Sequence, residues 1–295
     1  MNNGSLKADL LKRIENSLPK MSKGHKLVAT FILEHYDRAA YMTASRLGSE
    51  VGISESTVVR FANELGFDGY PDLQHSLREI VRNKLTTLQR IEITNDRIGN
   101  SDILDKVVNS DIDKIRRTLD KINHDHFNAA VDAILRAENI YILGMRSSST
   151  IASFMSFYFN LIFNNVRHVS GSGGSEIFEN IMRITDRDVM IGISFPRYSK
   201  RCINAVQFAK NQGAHVIALT DSGISPIASL ADSLLLAESD MASFVDSLVA
   251  PLSIINALIV AAAMKKKEDV SNTFRRLEEI WDEYDVYQKL PDVHF

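Results

Sequence analysis

The chain has 295 residues, 45% of them hydrophobic and 24% charged, with a formal net charge of −3 and a single cysteine, Cys202. This describes a globular protein with room for two domains and a sizeable core, and it excludes a globally basic nucleic-acid coat, though not a local basic face. One cysteine excludes an intramolecular disulfide and fits a reducing cytosol. Divided near residue 97, the chain carries roughly +2 before that point and about −5 after it, the right direction for an N-terminal DNA-binding part. The N-terminus alternates charged and polar residues, so no signal peptide is expected.

Lys7–Asn16 and Lys26–Tyr36 have helical periodicity, with Leu27, Phe31 and Ile32 expected on one face of the second helix. Thr43 is placed to cap a helix running to about Val51. Gly52 breaks it, and Ser54 caps another helix running to about Leu65. Two short helices separated by Gly52-Ile53 read as a helix-turn-helix. Gly48 lets the helices approach, and Val51, Ile53, Val58 and Phe61 supply an apolar lock. Val58, Phe61, Ala62 and Leu65 then face the core. Ser54, Ser56, Thr57, Arg60 and Asn63 are left on the other side or near the helix start. These residue types reach phosphates and base edges in a major groove, and the five are the candidate DNA-binding residues. Glu55 either accepts from a cytosine amino group or merely favours the helix N-terminus. Gly66, Gly69 and Pro71 punctuate a turn before a helix to roughly Lys84. Thr86–Asp102 is polar and reads as a linker, which gives an all-α DNA-binding domain over 1–85, a linker over 86–102 and a second domain over 103–295.

Two helices, Ile103–Asp120 and His126–Ala137, introduce that second domain. Strands are expected at 140–144, 165–169, 188–194, 215–220 and 233–237. Helices are expected at 149–163, 175–183, 200–212, 226–230 and 245–266. This rhythm predicts an α/β domain, a doubly wound and mainly five-stranded parallel sheet between helical layers. The runs IYILGMRSSS (140–149) and VMIGISFPRYS (189–199) stop abruptly at small hydroxyl residues. Backbone N–H groups at such strand-to-helix turns, with the helix dipole, favour phosphate. Both loops are expected to emerge at the carboxyl ends of adjacent strands, where strand order reverses.

Other residues read more plainly. His168 and His215, at or near strands, are expected to be satisfied structural histidines. His124-Asp125-His126 starts a helix, and no metal site or cofactor is indicated. Gly171–Ser175 is either a third rim of the pocket or a plain turn, and Thr220-Asp221-Ser222 is placed to border the ligand. Cys202, near Lys200 and Arg201, is expected to be a buried inert thiol. The apolar run Leu248–Met264 contains Pro251, Ser253 and Asn256 and reads as a buried helix rather than a membrane span. Asn272–Tyr284 makes a last amphipathic helix.

The stretch TASRLGSEVGISESTVVRFANELGFDGYPDL, residues 43–73, resembles the N-terminal domain of the RpiR/MurR family of bacterial transcription regulators. Residues 140–240 resemble that family's second part, the sugar isomerase (SIS) domain, and the likeness runs from about Ser22 to about Lys267. It implies a repressor or activator whose SIS domain senses a phosphosugar. The family's first ligand loop has the form Gly-x-Gly-x-Ser with Ala four residues on. Here the positions are Gly144, Met145, Arg146, Ser147, Ser148 and Ala152, so Arg146 replaces the second glycine. The second loop usually reads Ser-x-Ser-Gly-x-Thr-x-Glu. Here it runs from Ser194 to Arg201, with Pro196 replacing a hydroxyl, Arg197 the glycine and Arg201 the acid. Ser148, Ser194 and Ser199 keep hydroxyls suited to phosphate. Arg146 and Arg197 either ion-pair within the assembly or add bidentate contacts to a more anionic ligand, such as a sugar-acid phosphate. The candidate effector residues are therefore Arg146, Ser147, Ser148, Ser194, Arg197 and Ser199.

Two functions follow. The first is a DNA-binding transcription regulator of a carbohydrate-related operon, controlled by a phosphorylated sugar or sugar acid. The second is a phosphosugar isomerase with a structural N-terminal appendage. Isomerisation needs a proton shuttle beside the sugar carbon. Arg201 stands where the resemblance implies an acid, so no catalytic residue is assigned and sensing is favoured. Double-stranded operator DNA and a phosphorylated effector are the expected partners, without a membrane and in the cytoplasm. A homodimer or homotetramer is expected because symmetric dimers read paired half-sites.

Overall fold

The computed structural model describes residues 3–81, 88, 91, 102–171, 174–240 and 245–288. The expected linker 86–102 therefore lies outside the described residues except at Leu88, Ile91 and Asp102. By its packing the chain divides into two compact units. One comprises Met1–Asp113 with Pro196–Tyr198 and Ser239–Ser247, the other Lys114–Phe195 with Ser199–Glu238 and Leu248–Phe295.

Up to residue 81 the described residues form the α-helices α1 (Asn3–Ser17), α2 (Lys23–Glu34), α3 (Tyr36–Ala39), α4 (Ala44–Val51), α5 (Glu55–Glu64) and α6 (Tyr70–Val81). Ser22 caps α2, its hydroxyl accepting from the His25 N–H at 3.3 Å. Ile14, Val28, Ile32, Leu47, Val58, Phe61, Leu73 and Leu77 are fully buried in one core. Leu27 is not on the buried face of α2: it is 45% exposed, while Val28, Ala29 and Ile32 are buried. At about 100° per residue those three define the stripe, which places Phe31 at its rim and Leu27 beyond it. Tyr70 ties α6 to the end of α3 by donating to the Ala39 and Met42 carbonyls at 3.2 and 3.0 Å. Burial raises its phenol pKa, against a smaller opposing effect of Arg78.

Beyond the linker come α7 (Ile103–Lys121) and α8 (His124–Arg136), the latter capped by Asn123. The sheet follows: β1 (Ile140–Gly144), α9 (Ser147–Asn160), β2 (Val166–Val169), α10 (Gly174–Ile181), β3 (Val189–Ile193), α11 (Lys200–Asn211), β4 (His215–Thr220) and β5 (Ser233–Leu236). Helices α12 (Val249–Lys265) and α13 (Lys267–Glu283) close the chain. All pairings are parallel, in the order β2-β1-β3-β4-β5. Alternate strand residues feed two cores, as the pleat requires. Ile140, Ile142, Ile191 and Ile217 meet residues of α8, α9 and α12, while Tyr141, Met190, Val216 and Ala218 meet those of α10 and α11. The expected helix 226–230 is a single 3-10 turn over Ala228–Leu230. Among the described residues no single helix is long and apolar enough to cross a membrane, and α12 buries Ala250, Pro251, Ile254, Ile255, Leu258 and Ala262.

Candidate DNA-reading helix and effector loops

The helix-turn-helix is built on two glycines. Gly52 ends α4 at φ 73°, a left-handed conformation that costs a side chain dearly and glycine little. Gly48 faces the turn so closely that a Cβ there would lie 2.8 Å from the Ile53 carbonyl oxygen and 3.3 Å from the Glu55 nitrogen. That oxygen-to-backbone approach is what packs α4 on α5. Thr43 caps α4, its hydroxyl accepting from the Arg46 N–H at 3.2 Å. Val58, Phe61 and Ala62 anchor α5 to the core at 0% exposure. The start of α2 lies against α5 too: a Cβ on Gly24 would come within 3.2 Å of the Thr57 methyl.

The five candidate DNA residues share α5 and its cap but differ in commitment. Ser54 occupies the N-cap position without capping the backbone; its hydroxyl bonds those of Ser56 and Thr57, each at 2.9 Å. Two nearby hydroxyls thus compete with the backbone N–H groups for one oxygen. Arg60 is exposed, its Nε donating to the Ser56 carbonyl at 3.3 Å. Asn63 is exposed as well, but its amide oxygen accepts from the Gly69 N–H at 3.0 Å and so holds the turn into α6. Glu55 sits exposed in the first turn of α5, where a carboxylate suits the helix dipole.

The candidate effector loops emerge side by side. Gly144 at the end of β1 pairs in register with Ile193 at the end of β3, at the place where strand order reverses. A Cβ on Gly144 would lie 2.4 Å from the Ser148 carbonyl oxygen, so only glycine lets α9 start three residues after the strand. Helix α9 accordingly begins at Ser147, two residues before the expected 149. Ser147 is exposed in its first turn. Ser148 is buried, and its hydroxyl has no hydrogen-bond partner among the described residues. Ser194 is buried near the Cys202 thiol, which itself donates to the Ile193 carbonyl at 3.9 Å. Ser199 holds the N-cap position of α11 and makes no capping bond there. Arg197 is exposed on the loop that follows β3.

Both arginines that stand where the resemblance implies glycine keep a glycine's backbone. Arg146 has φ 58° and ψ −126°, and Arg197 has φ 63°. A side chain held at positive φ costs about 1–2 kcal/mol. Arg146→Gly relieves that strain, partly offset by about 0.5–1 kcal/mol of extra unfolded-chain entropy. The expected result is a small rise in the melting temperature of the effector-free protein. A fall in that temperature would show instead that the guanidinium contributes structural contacts worth more than the strain.

The remaining expectations divide. Burial pushes the Cys202 thiol up to about 12, so it is inert despite its basic neighbours. His215 bonds the Ser233 hydroxyl at 3.0 Å, but the buried Nε2 of His168 has no hydrogen-bond partner among the described residues, so His168 is not satisfied there. Burial lowers the pKa of both, which favours the neutral ring. Thr220 is fully buried and donates to the Ser194 carbonyl at 2.7 Å, bracing the loop from within. Of the possible third rim, residues 172 and 173 lie outside the described residues. Sequence reading missed Glu238, just past β5, which is 7% exposed. Its carboxylate takes Lys121 of α7 at 2.7 Å, with Arg117 at 4.0 Å, while its N–H donates to the Thr118 hydroxyl at 2.9 Å. A buried acid closing an apolar strand was the available signal; its basic partners, more than a hundred residues upstream, were not.

Residues 8–84 match the helix-turn-helix domain of the rpiR family, and residues 133–261 match the SIS domain. The chain is 26% identical over 279 residues to the HTH-type transcriptional regulator HexR of Escherichia coli, covering 92% of this chain and 93% of that one. An RpiR transcription factor from Sphaerobacter thermophilus, solved as its sugar isomerase domain, superposes with a TM-score of 0.54 at 28% identity, over 59% of this chain and 97% of that one. The Vibrio vulnificus NanR protein complexed with ManNAc-6P shares the fold at a TM-score of 0.57 and 22% identity, covering 93% of this chain and 98% of that one.

Proposed function

The chain belongs to the RpiR family of helix-turn-helix transcription regulators, with an rpiR-type DNA-binding domain joined to a SIS domain, and from that membership we propose that it governs a carbohydrate-related operon through a doubly anionic effector, a phosphorylated sugar acid or a similar compound. The observation that carries the charged-effector reading is the pair of arginines held at positive φ, Arg146 and Arg197, on the loops that follow β1 and β3. Strained residues persist where they act, and a guanidinium contacts phosphate or carboxylate in two places at once. Ser147, Ser148, Ser194 and Ser199 supply the neutral donors of the same site. The ManNAc-6P bound by NanR belongs to the broader phosphosugar class. On the DNA side Ser54, Ser56, Thr57 and Arg60 of α5 read the operator, while Asn63 supports them by fixing the turn into α6. A homodimer or homotetramer acting in the cytoplasm completes the reading.

The test is a gel shift on the DNA upstream of the chain's own gene, titrated with phosphosugars and phosphorylated sugar acids. The expected result is a specific complex whose affinity changes with the sugar-acid phosphates at lower concentration than with neutral-sugar monophosphates. The isomerase reading prevails if the protein ignores this DNA and instead interconverts aldose and ketose phosphates.

A further inference from the structure

We propose that the exposed apolar stripe of α7 is a two-fold interface on which a second copy of this chain packs, the two α7 helices running antiparallel. The stripe consists of Leu104 at 74% exposure, Val108 at 46%, Ile112 at 39%, Ile115 at 36% and Leu119 at 66%. One unbroken helix of 19 residues carries all five, so their spacing follows from helix geometry alone. At about 100° per residue they fall within roughly a quarter turn of the helix surface and extend over about 22 Å of its length. The face beside the stripe, about 100° round the helix, is already committed. Lys114 and Thr118 are buried there, and Thr118 and Lys121 hold Glu238.

The stripe complements itself. Reversed about the midpoint between residues 111 and 112, Leu104 falls opposite Leu119 and Val108 opposite Ile115. The two copies of Ile112 then meet at the axis. An isologous two-fold contact requires this property of a surface, that it match its own reversal. Charge points to the same orientation. Asp105 and Arg116 lie on one flank of the stripe, in opposite halves of the helix. Antiparallel pairing brings Asp105 of each copy to within one helical turn of Arg116 of the other, twice by symmetry. Parallel pairing would put this flank of the two copies on opposite sides of the seam and leave Asp105 and Arg116 without each other.

This inference rests on the reading of the chain as an operator-binding dimer and names the surface that makes it one. It is tested on the full chain by cross-linking and sedimentation. Ile112→Cys should form an intermolecular disulfide under mild oxidation. Leu104→Cys and Leu119→Cys should each stay uncross-linked alone but join when mixed. Cys202 is buried and takes no part. Leu104→Glu, at a position already mostly exposed, should leave the thermal melt unchanged and halve the sedimenting mass. Asp105→Arg should weaken association, and adding Arg116→Asp should restore it. A monomeric wild type, or a dimer in which Ile112→Cys never cross-links, overturns the proposal. A dimeric wild type that does not bind operator DNA, with Ile112→Cys cross-linking as expected, would instead sink the regulator reading and leave this interface standing.

Discussion

Arg60→Ala should weaken specific operator binding by about 1–3 kcal/mol, roughly five- to 150-fold at fixed salt, with the fold intact. Arg60 lies on the face of α5 opposite Val58 and Leu65, which are buried. Its guanidinium lies along the helix, Nε on the Ser56 carbonyl at 3.3 Å and Nη2 by the Thr57 hydroxyl at 3.5 Å. Those exposed bonds are weak and are exchanged for a base edge or a phosphate at little cost. The folded domain therefore loses almost nothing when the side chain is cut back. Anisotropy titrations on the operator and on a scrambled duplex separate the two roles. A base-reading arginine loses affinity for the operator alone, and a phosphate contact loses it equally on both with a shallower salt slope. Unchanged affinity on both duplexes would remove Arg60 from the interface. Asn63→Ala is the contrast. It deletes the acceptor of the Gly69 N–H, so its expected effect is a lower melting temperature with DNA binding reduced only through the loosened turn.

Much of this was legible because apolar periodicity and glycine placement are local properties. The turn at Gly52, the close approach at Gly48 and the buried face of α5 were all readable from residues 43–65. The sheet was readable too, since each strand is a short apolar run ended by a turn, and the β1–β3 adjacency follows from how doubly wound sheets place their loops. Tertiary contacts decided the rest. The four-residue α3 is too short to show a period, and the face of α2 shifted off Leu27 because α5 and the core choose which residues are covered. Ser54 lost its cap to neighbouring hydroxyls, a competition that residue preference does not resolve. Thr220 pointed inward because Ser194 on the neighbouring strand offers its carbonyl. The same gap hid Glu238, whose partners stand far away in sequence.

The effector site yields the second large effect. Ser148→Ala and Ser199→Ala should each reduce effector affinity by roughly 1.5–3 kcal/mol, about 13- to 150-fold, the value of a hydrogen bond to a charged group. Effector-free DNA binding should stay as in the wild type. Ser148 and Ser199 are the sensitive pair because neither hydroxyl is committed within the fold: Ser148 has no partner among the described residues, and Ser199 makes no capping bond. Arg197→Gly restores the residue that the family resemblance implies, at a φ of 63° that glycine adopts without strain. It should keep the phosphate-binding hydroxyls and lose the second anionic contact. Preference then shifts from sugar-acid phosphates toward neutral-sugar monophosphates. Transmission to DNA needs only that the effector bind one conformation of the protein better than another. Calorimetry on the wild type and these variants, with one ligand of each class, reads both effects. If Arg197→Gly binds both classes as the wild type does, the arginine is structural and the doubly anionic effector is wrong. If Ser148→Ala also leaves both affinities unchanged, the site does not lie at the ends of β1 and β3.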